Sequence, residues 1–294
     1  MSLPTIYLVD ASIYLFRAWF SISDEFANSD GEPTNAVYGF TGFLCSLLEQ
    51  TQAKHIGLAF DESLSKSYRN EIYPEYKANR EPAPEELKRQ FAWARDVAEA
   101  MGMRCFSDQR YEADDLIGTL AEHWRERGHP VCIVSSDKDL AQLVGKNDSW
   151  WDFTRNRKFG QAQIKDRFGV HPWQMADYLA LTGDSVDNIP GVPGVGPKTA
   201  SALLGHFEDL DEIWERLEEV PQLGIRGAAS LHKKLSDNRD AAELARRLTV
   251  IETEVPSALE NPSLTRGALD EARLNRLFDE LAFGGMLRRR CLLT

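Results

Sequence analysis

The feature that most restricts the fold is a set of short apolar runs that close on aspartate: Ile6-Tyr7-Leu8-Val9-Asp10, then LAFD ending at Asp61, then IVSSD ending at Asp137. Between them the apolar spacing turns helical, over residues 35–50 with Thr34 as N-cap, over 84–101 and over 112–127. A further strand-like run covers residues 103–106. Strands apolar on both faces and separated by helices belong to a parallel, doubly wound sheet covered on both sides, an α/β fold. Ligands in such sheets sit beyond the carboxyl ends of the strands, so the three aspartates can share one crevice. One such aspartate alone reads as a cap for the next helix; three at corresponding ends ask for another cause.

More acids fall near the same ends. Glu112-Ala113-Asp114-Asp115 opens a helix with Glu112 and Asp115 on one face at i, i+3, Asp137-Lys138-Asp139 follows a strand, and Asp184-Ser185-Val186-Asp187 comes from the second half. The helix dipole favours acids in a first turn, but it does not account for three carboxylates within four residues, which repel one another unless cations hold them. Oxygen ligands without His or Cys suit Mg²⁺ or Mn²⁺, and the six histidines are scattered. Nine carboxylates exceed the need of one such ion, so two are expected, an arrangement suited to in-line displacement at phosphorus. The formal charge of −12, from 46 acidic and 34 basic residues, opposes binding of a polyanion except where acids hold metal.

Two stretches fit a nucleic acid. Gly191-Val192-Pro193-Gly194-Val195-Gly196-Pro197-Lys198-Thr199-Ala200 is a glycine-rich turn leading into a helix, as in a helix-hairpin-helix element that grips duplex backbone through amides and a lysine. In KSYRNEIYPEYKANR, from Lys66 to Arg80, the pairs Tyr73/Tyr76 and Lys77/Arg80 would form a tyrosine face and a cationic face wherever the segment is helical, although Pro74 interrupts it. Lys and Arg there neutralise phosphates and tyrosines stack on bases, while a solvated amphipathic loop is the competing reading. Arg17, seven residues after Asp10, becomes a phosphate ligand if the crevice forms, and is otherwise a surface arginine.

A hairpin around residues 149–160 closes the first unit, giving expected domains 1–160, an acidic α/β core, and 161–294, a helical unit. The start, Met1 to Thr5, lacks a signal peptide, and no apolar run approaches the length of a membrane span, so a cytoplasmic protein is expected. The four cysteines lie far apart without a C-x-x-C pair and read as reduced, packed thiols. Arg288-Arg289-Arg290 reads as a solvated tail.

LVDASIYLFRA, LAFD, YKANREPAP, YEADDLIGTLA, SSDKDLAQLV and LTGDSVDNIPGVPGVGPKTA, with GIRGAASLHKKL and TVIETEV, resemble in order and spacing the motifs of bacterial 5′-nucleases. These are flap endonucleases and 5′-3′ exonucleases of the type fused to the front of DNA polymerase I. The resemblance implies a PIN-like parallel sheet flanked by helices and a C-terminal helical domain with a helix-three-turn-helix element. It implies metal-dependent hydrolysis of DNA at 5′ flaps, nicks or single-strand/duplex junctions, leaving 5′-phosphates, in repair or replication. By position, Asp10, Asp61, Glu112 and Asp114 supply one metal cluster, Asp115 and Asp137 lie near or between the two ions, and Asp139, Asp184 and Asp187 supply the second. Asp115, Asp137, Lys77 and Arg80 take catalytic places. Arg17, Tyr76, Lys77 and Arg80 contact the 5′ strand, and Gly194, Gly196, Lys198 and Thr199 contact the duplex. A K⁺ ion on the carbonyls of Val192 and Val195 is also implied. Ala11, Ser136 and Glu81 depart from residues frequent in the family, and Glu81 puts negative charge near the strand path. An end at Thr294 leads to the expectation of a standalone, monomeric nuclease. The competing classes are a DNA-binding module of weak or lost catalysis, and a PIN-type ribonuclease, which has no need of the duplex-gripping turn.

Overall fold

A computed structural model describes residues 3–62, 67–225 and 227–294; Lys66, which opens the basic-aromatic stretch, and Arg226 of GIRGAASLHKKL lie outside these. The first part runs β1 (Ile6–Asp10), α1 (Ala11–Ser21), α2 (Asn35–Thr51), β2 (Ile56–Asp61), α3 (Tyr68–Ile72), α4 (Glu85–Ala100), β3 (Arg104–Asp108), α5 (Ala113–Glu126), β4 (Val131–Val134), β5 (Ser149–Asp152) and β6 (Arg157–Phe159). Helices follow: α6 (Gln161–Phe168), α7 (Met175–Thr182), α8 (Pro197–Leu204), α9 (Leu210–Glu215), α10 (Ala228–Asp237), α11 (Arg239–Thr249), α12 (Pro256–Leu259), α13 (Glu271–Glu280) and α14 (Gly285–Leu292). None of the helices among the described residues is long and apolar enough to cross a membrane.

The six strands lie in the order β3-β2-β1-β4-β5-β6, parallel except for the β5–β6 hairpin. The hairpin thus extends the sheet through β5, which pairs in parallel with β4. Chain order reverses between β1 and β4, the place where side-by-side strands leave an open crevice at their carboxyl ends. Alternate residues of the sheet enter opposite cores. Leu8, Ala59 and Ile133 pack with α5 and the helices that follow, whereas Val9, Leu58, Phe60 and Val134 pack with α1, α2 and α4.

One difference from the sequence reading has a physical cause. No element was expected between Asp10 and Thr34, yet α1 occupies Ala11–Ser21, because Ile13, Tyr14, Leu15, Phe16, Ala18, Trp19 and Phe20 are apolar around almost its whole circumference and hide the helical period. The segment 161–294 also packs on the first part: Ile56 donates to the Leu264 carbonyl at 2.8 Å, α13 packs on α4 and α14 on α2. Thr34 does cap α2 by position, but its side chain makes no capping hydrogen bond.

Candidate active site

The carboxyl ends of β1, β2 and β4 and the start of α5 build one acidic rim. Asp10 is 5 % exposed, caps α1 by accepting from the Ile13 amide at 3.2 Å, and accepts from the Ser135 hydroxyl at 2.8 Å. The same hydroxyl accepts from the Asp137 amide at 3.0 Å, so Ser135 joins the ends of β1 and β4 across the switch point. Asp61 Oδ1 accepts from the Ala113 amide at 2.9 Å, which fixes the start of α5 against β2, and the Asp61 amide donates to Ser12 at 2.9 Å.

Electrostatics shows how close these acids stand. Burial pushes Asp10 up to about 7, helped by Asp61 and Asp137. Burial also pushes Asp114 well above the carboxylate range, with Asp137, Asp10 and Asp61 all repelling its charge. Asp139 is likewise raised to about 7 by burial and by Asp137. Its Oδ1 is buried, with Lys138 Nζ 3.2 Å away. Buried carboxylates that repel one another form an oxygen-only donor set that a hard divalent cation would satisfy. As the side chains stand, no three His, Cys, Asp or Glu groups among the described residues are close enough together to hold an ion. Several are engaged by lysine and arginine instead.

Lys77 Nζ is 2.7 Å from Glu112 Oε1 and 3.9 Å from Asp187 Oδ2, and Arg80 also pairs with Asp187. Lys138 Nζ is 2.5 Å from Asp184 Oδ2. Burial works against the charge of Glu112, but Lys77 and Arg69 outweigh it and hold the carboxyl below its ordinary range. Burial likewise opposes Asp184, and Lys138 prevails. The acids from the second half therefore meet different cations: Asp184 shares Lys138 with Asp139, while Asp187 is tied to Glu112 through Lys77.

Two expectations need correction. Asp115 does not face the crevice. It is 0 % exposed, accepts from Arg69 through both oxygens at 2.8 Å, and takes the Glu112 amide at 3.0 Å and the Glu252 amide at 2.9 Å. With its lone pairs used, Asp115 is a structural anchor, and its i, i+3 relation to Glu112 serves the helix start. Tyr76 is not a stacking surface: it is 4 % exposed, and its hydroxyl donates to Glu112 at 3.0 Å. The stretch from Tyr73 to Arg80 is a series of turns, as the interruption at Pro74 suggested, with Lys77 at φ 56°, so the tyrosine and cationic faces that a helix would present do not form. It docks on the loop between Asp184 and Ile189, through Lys77 N to the Asp187 carbonyl at 2.9 Å, Asn79 to the Ser185 carbonyl at 2.8 Å, and Asn188 to the Glu75 carbonyl at 2.7 Å.

Arg69 is the residue that sequence reasoning missed. It is 2 % exposed, braces Asp115, reaches Glu112 at 3.2 Å, and donates to the carbonyls of Leu248 at 2.8 Å and Val250 at 3.0 Å. It therefore joins α3, the start of α5 and the end of α11. No local pattern marks it, since its partners are 46 and 179 residues away.

The glycine-rich turn lies at the start of α8, with Pro197 in the first turn and Gly196 as N-cap. Gly194 has φ +80°, and Lys234 of α10 lies over it, its Nζ 2.8 Å from where a Cβ would stand. Lys198 is exposed and Thr199 half-buried. The side chains of Val192 and Val195 are buried, and the Val192 carbonyl accepts from the Val195 amide at 2.9 Å. Before this turn, Gly183 and Gly191 cross so closely that a Cβ on Gly191 would lie 2.4 Å from the Gly183 nitrogen; the crossing closes the loop that carries Asp184 and Asp187. Arg17 is exposed on α1, roughly 10 Å along the helix from Asp10, on a cleft of about 260 Å³ shared with Tyr14, Phe43 and Phe153.

Comparison with known proteins agrees with this architecture. Residues 5–169 match the family described as 5′-3′ exonuclease, N-terminal resolvase-like domain, and residues 170–272 match 5′-3′ exonuclease, C-terminal SAM fold. A 5′-3′ exonuclease of Buchnera aphidicola subsp. Schizaphis graminum is 35% identical over 88% of this chain and 90% of its own length. DNA polymerase I of Pseudomonas aeruginosa is 39% identical over 98% of this chain but 31% of its own length, and that of Rhizobium leguminosarum 37% identical over 97% and 28%. The chain thus spans about a third of these polymerases. The solved structure of T5 5′-exonuclease with bound zinc has the same fold, with a TM-score of 0.69 at 20% identity over 94% of this chain and 99% of that one.

Proposed function

This chain belongs to the 5′-3′ exonuclease family, and from that premise we propose that it is a divalent-metal-dependent 5′-nuclease that hydrolyses DNA at 5′ flaps, nicks or single-strand/duplex junctions. The observation that carries the reading is the mutual repulsion of Asp10, Asp61, Asp114 and Asp137 at the strand switch point, which two cations would relieve. The ions, Mg²⁺ or Mn²⁺, would be held by Asp10, Asp61, Glu112 and Asp114 on one side and by Asp139, Asp184 and Asp187 on the other, with Asp137 near them. Bound there, they would supply Lewis-acid polarisation and offset the charge that develops on the phosphate.

The chain's own residues do the rest. Lys77 and Arg80, which pair with Glu112 and Asp187, stand beside the acids that would hold the ions and would there offset charge on the phosphate that reacts. Arg17 holds a phosphate of the incoming strand. The start of α8, with Gly194, Gly196, Lys198, Thr199 and the neighbouring Lys234, grips duplex backbone without reading sequence, and K⁺ on the carbonyls of Val192 and Val195 would add to that grip. Products with 5′-phosphate ends, a monomeric state, a cytoplasmic setting, and work in repair or replication complete the reading.

Incubation with a 5′-labelled flap duplex and, separately, a single-stranded RNA of matching sequence tests it. Mg²⁺-dependent cuts at the flap junction are expected, with the RNA left largely intact. Preferred cleavage of the RNA would replace this reading with a ribonuclease, and DNA binding without cleavage with a binding module.

A further inference from the structure

Two cysteines that the crevice does not use meet where α14 packs on α2. Cys45 and Cys291 are both 0 % exposed, and their Sγ atoms are 3.0 Å apart although 246 residues separate them in sequence. A disulfide holds its sulfurs at about 2.05 Å, so roughly 1 Å of approach would join them. The surroundings make the pair unequal. The hydrogen bond from Cys291 lowers Cys45 against the effect of burial, and the Arg290 guanidinium adds to this, while Cys291 is pushed up. Arg290 is itself fixed on α2, to Glu49 at 2.6 Å and Ser46 at 2.7 Å. The other thiols are poor competitors, since burial raises Cys105 to about 12 and also raises Cys132.

We propose that Cys45 and Cys291 form a reversible disulfide, driven by hydrogen peroxide, that fastens α14 to α2. Access comes from local undocking: α14 has eight residues and buries two of them, Leu287 and Cys291, so it opens at low cost relative to the core. The Cys45 thiolate attacks one peroxide oxygen, the O–O bond breaks, and the departing hydroxide takes a proton, leaving Cys45 as a sulfenic acid and releasing water. Cys291 gives up its proton and attacks the sulfenic sulfur; the S–S bond forms as the S–O bond breaks, and the departing hydroxide takes that proton as a second water. In balance, two thiols and one peroxide give one disulfide and two waters.

The test treats the full chain with a few equivalents of hydrogen peroxide, then counts thiols after denaturation and maps peptides without reductant. Four thiols should fall to two and return to four with dithiothreitol, with one cross-linked peptide pair containing Cys45 and Cys291. Protease cleavage within α14 should slow about tenfold in the oxidised protein. In Cys291→Ser, Cys45 should stop at a sulfenic acid that dimedone traps. The peptide map of the peroxide-treated wild-type chain decides the matter even where that variant folds poorly. Four persisting thiols, a bridge through Cys105 or Cys132, or over-oxidation of Cys45 without a cross-link would each overturn the proposal.

Discussion

Replacing Arg69 with Met removes a cation that is 2 % exposed and leaves Asp115, 0 % exposed, as a buried carboxylate whose remaining partners are two backbone amides. Breaking one side of such a buried pair costs about 3–5 kcal/mol, a large share of the roughly 5–15 kcal/mol that a folded chain has in reserve. Arg69 also satisfies the Leu248 and Val250 carbonyls, so the upper part of that range is expected. For a chain of this size the corresponding fall in Tm is roughly 6–12 °C. Thermal and urea unfolding of Arg69→Met and of Arg69→Met/Asp115→Asn make the check. The double variant removes the uncompensated charge while keeping an amide oxygen for a backbone donor, and should recover about half of the loss. A single variant that melts within about 1 °C of wild type, or a double variant no better than the single, would refute the assignment of Asp115 as an anchor held by Arg69.

Asp10 titrates near 7 when folded and near 3.8 when unfolded, so between those values the folded protein keeps a proton that the unfolded chain has lost. Metal-free stability should therefore fall as pH rises through that window and stay low above it; melts in chelator should show the slope, and Asp10→Asn or added Mg²⁺ should flatten it. Lys77→Ala should slow flap cleavage about 100-fold with little change in Tm, because Glu112 keeps Arg69 and Tyr76; single-turnover rates measure this. Gly191→Ala places a Cβ 2.4 Å from the Gly183 nitrogen and should cost about 1–3 kcal/mol in urea unfolding while disturbing Asp184 and Asp187; an unaffected midpoint would contradict the close crossing of the two glycines.

The strands and their terminal aspartates were legible because apolar runs and acids at fixed ends are local patterns. Ile6–Asp10, Ile56–Asp61 and Val131–Val134 lie where periodicity places them, and Ser135 links the Asp10 carboxylate to the Asp137 amide. What escaped depends on distant partners. Asp115 and Asp114 are neighbours of the same type, yet one is sealed by an arginine 46 residues away and the other is left among repelling acids. Tyr76 looks like an aromatic platform in a basic stretch until the loop after Asp184 folds over it. The helix α1 was hidden for the opposite reason, an apolar surface on nearly every side.

The most direct test of the central claim, that the crevice acids gather divalent cations, is calorimetric titration of Mn²⁺ into the metal-free protein and into Asp114→Asn. The account predicts two ions per wild-type chain and loss or marked weakening of at least one in the variant, with protons released from Asp10 and Asp114 as metal enters. No saturable binding, or identical binding in the variant, would contradict it.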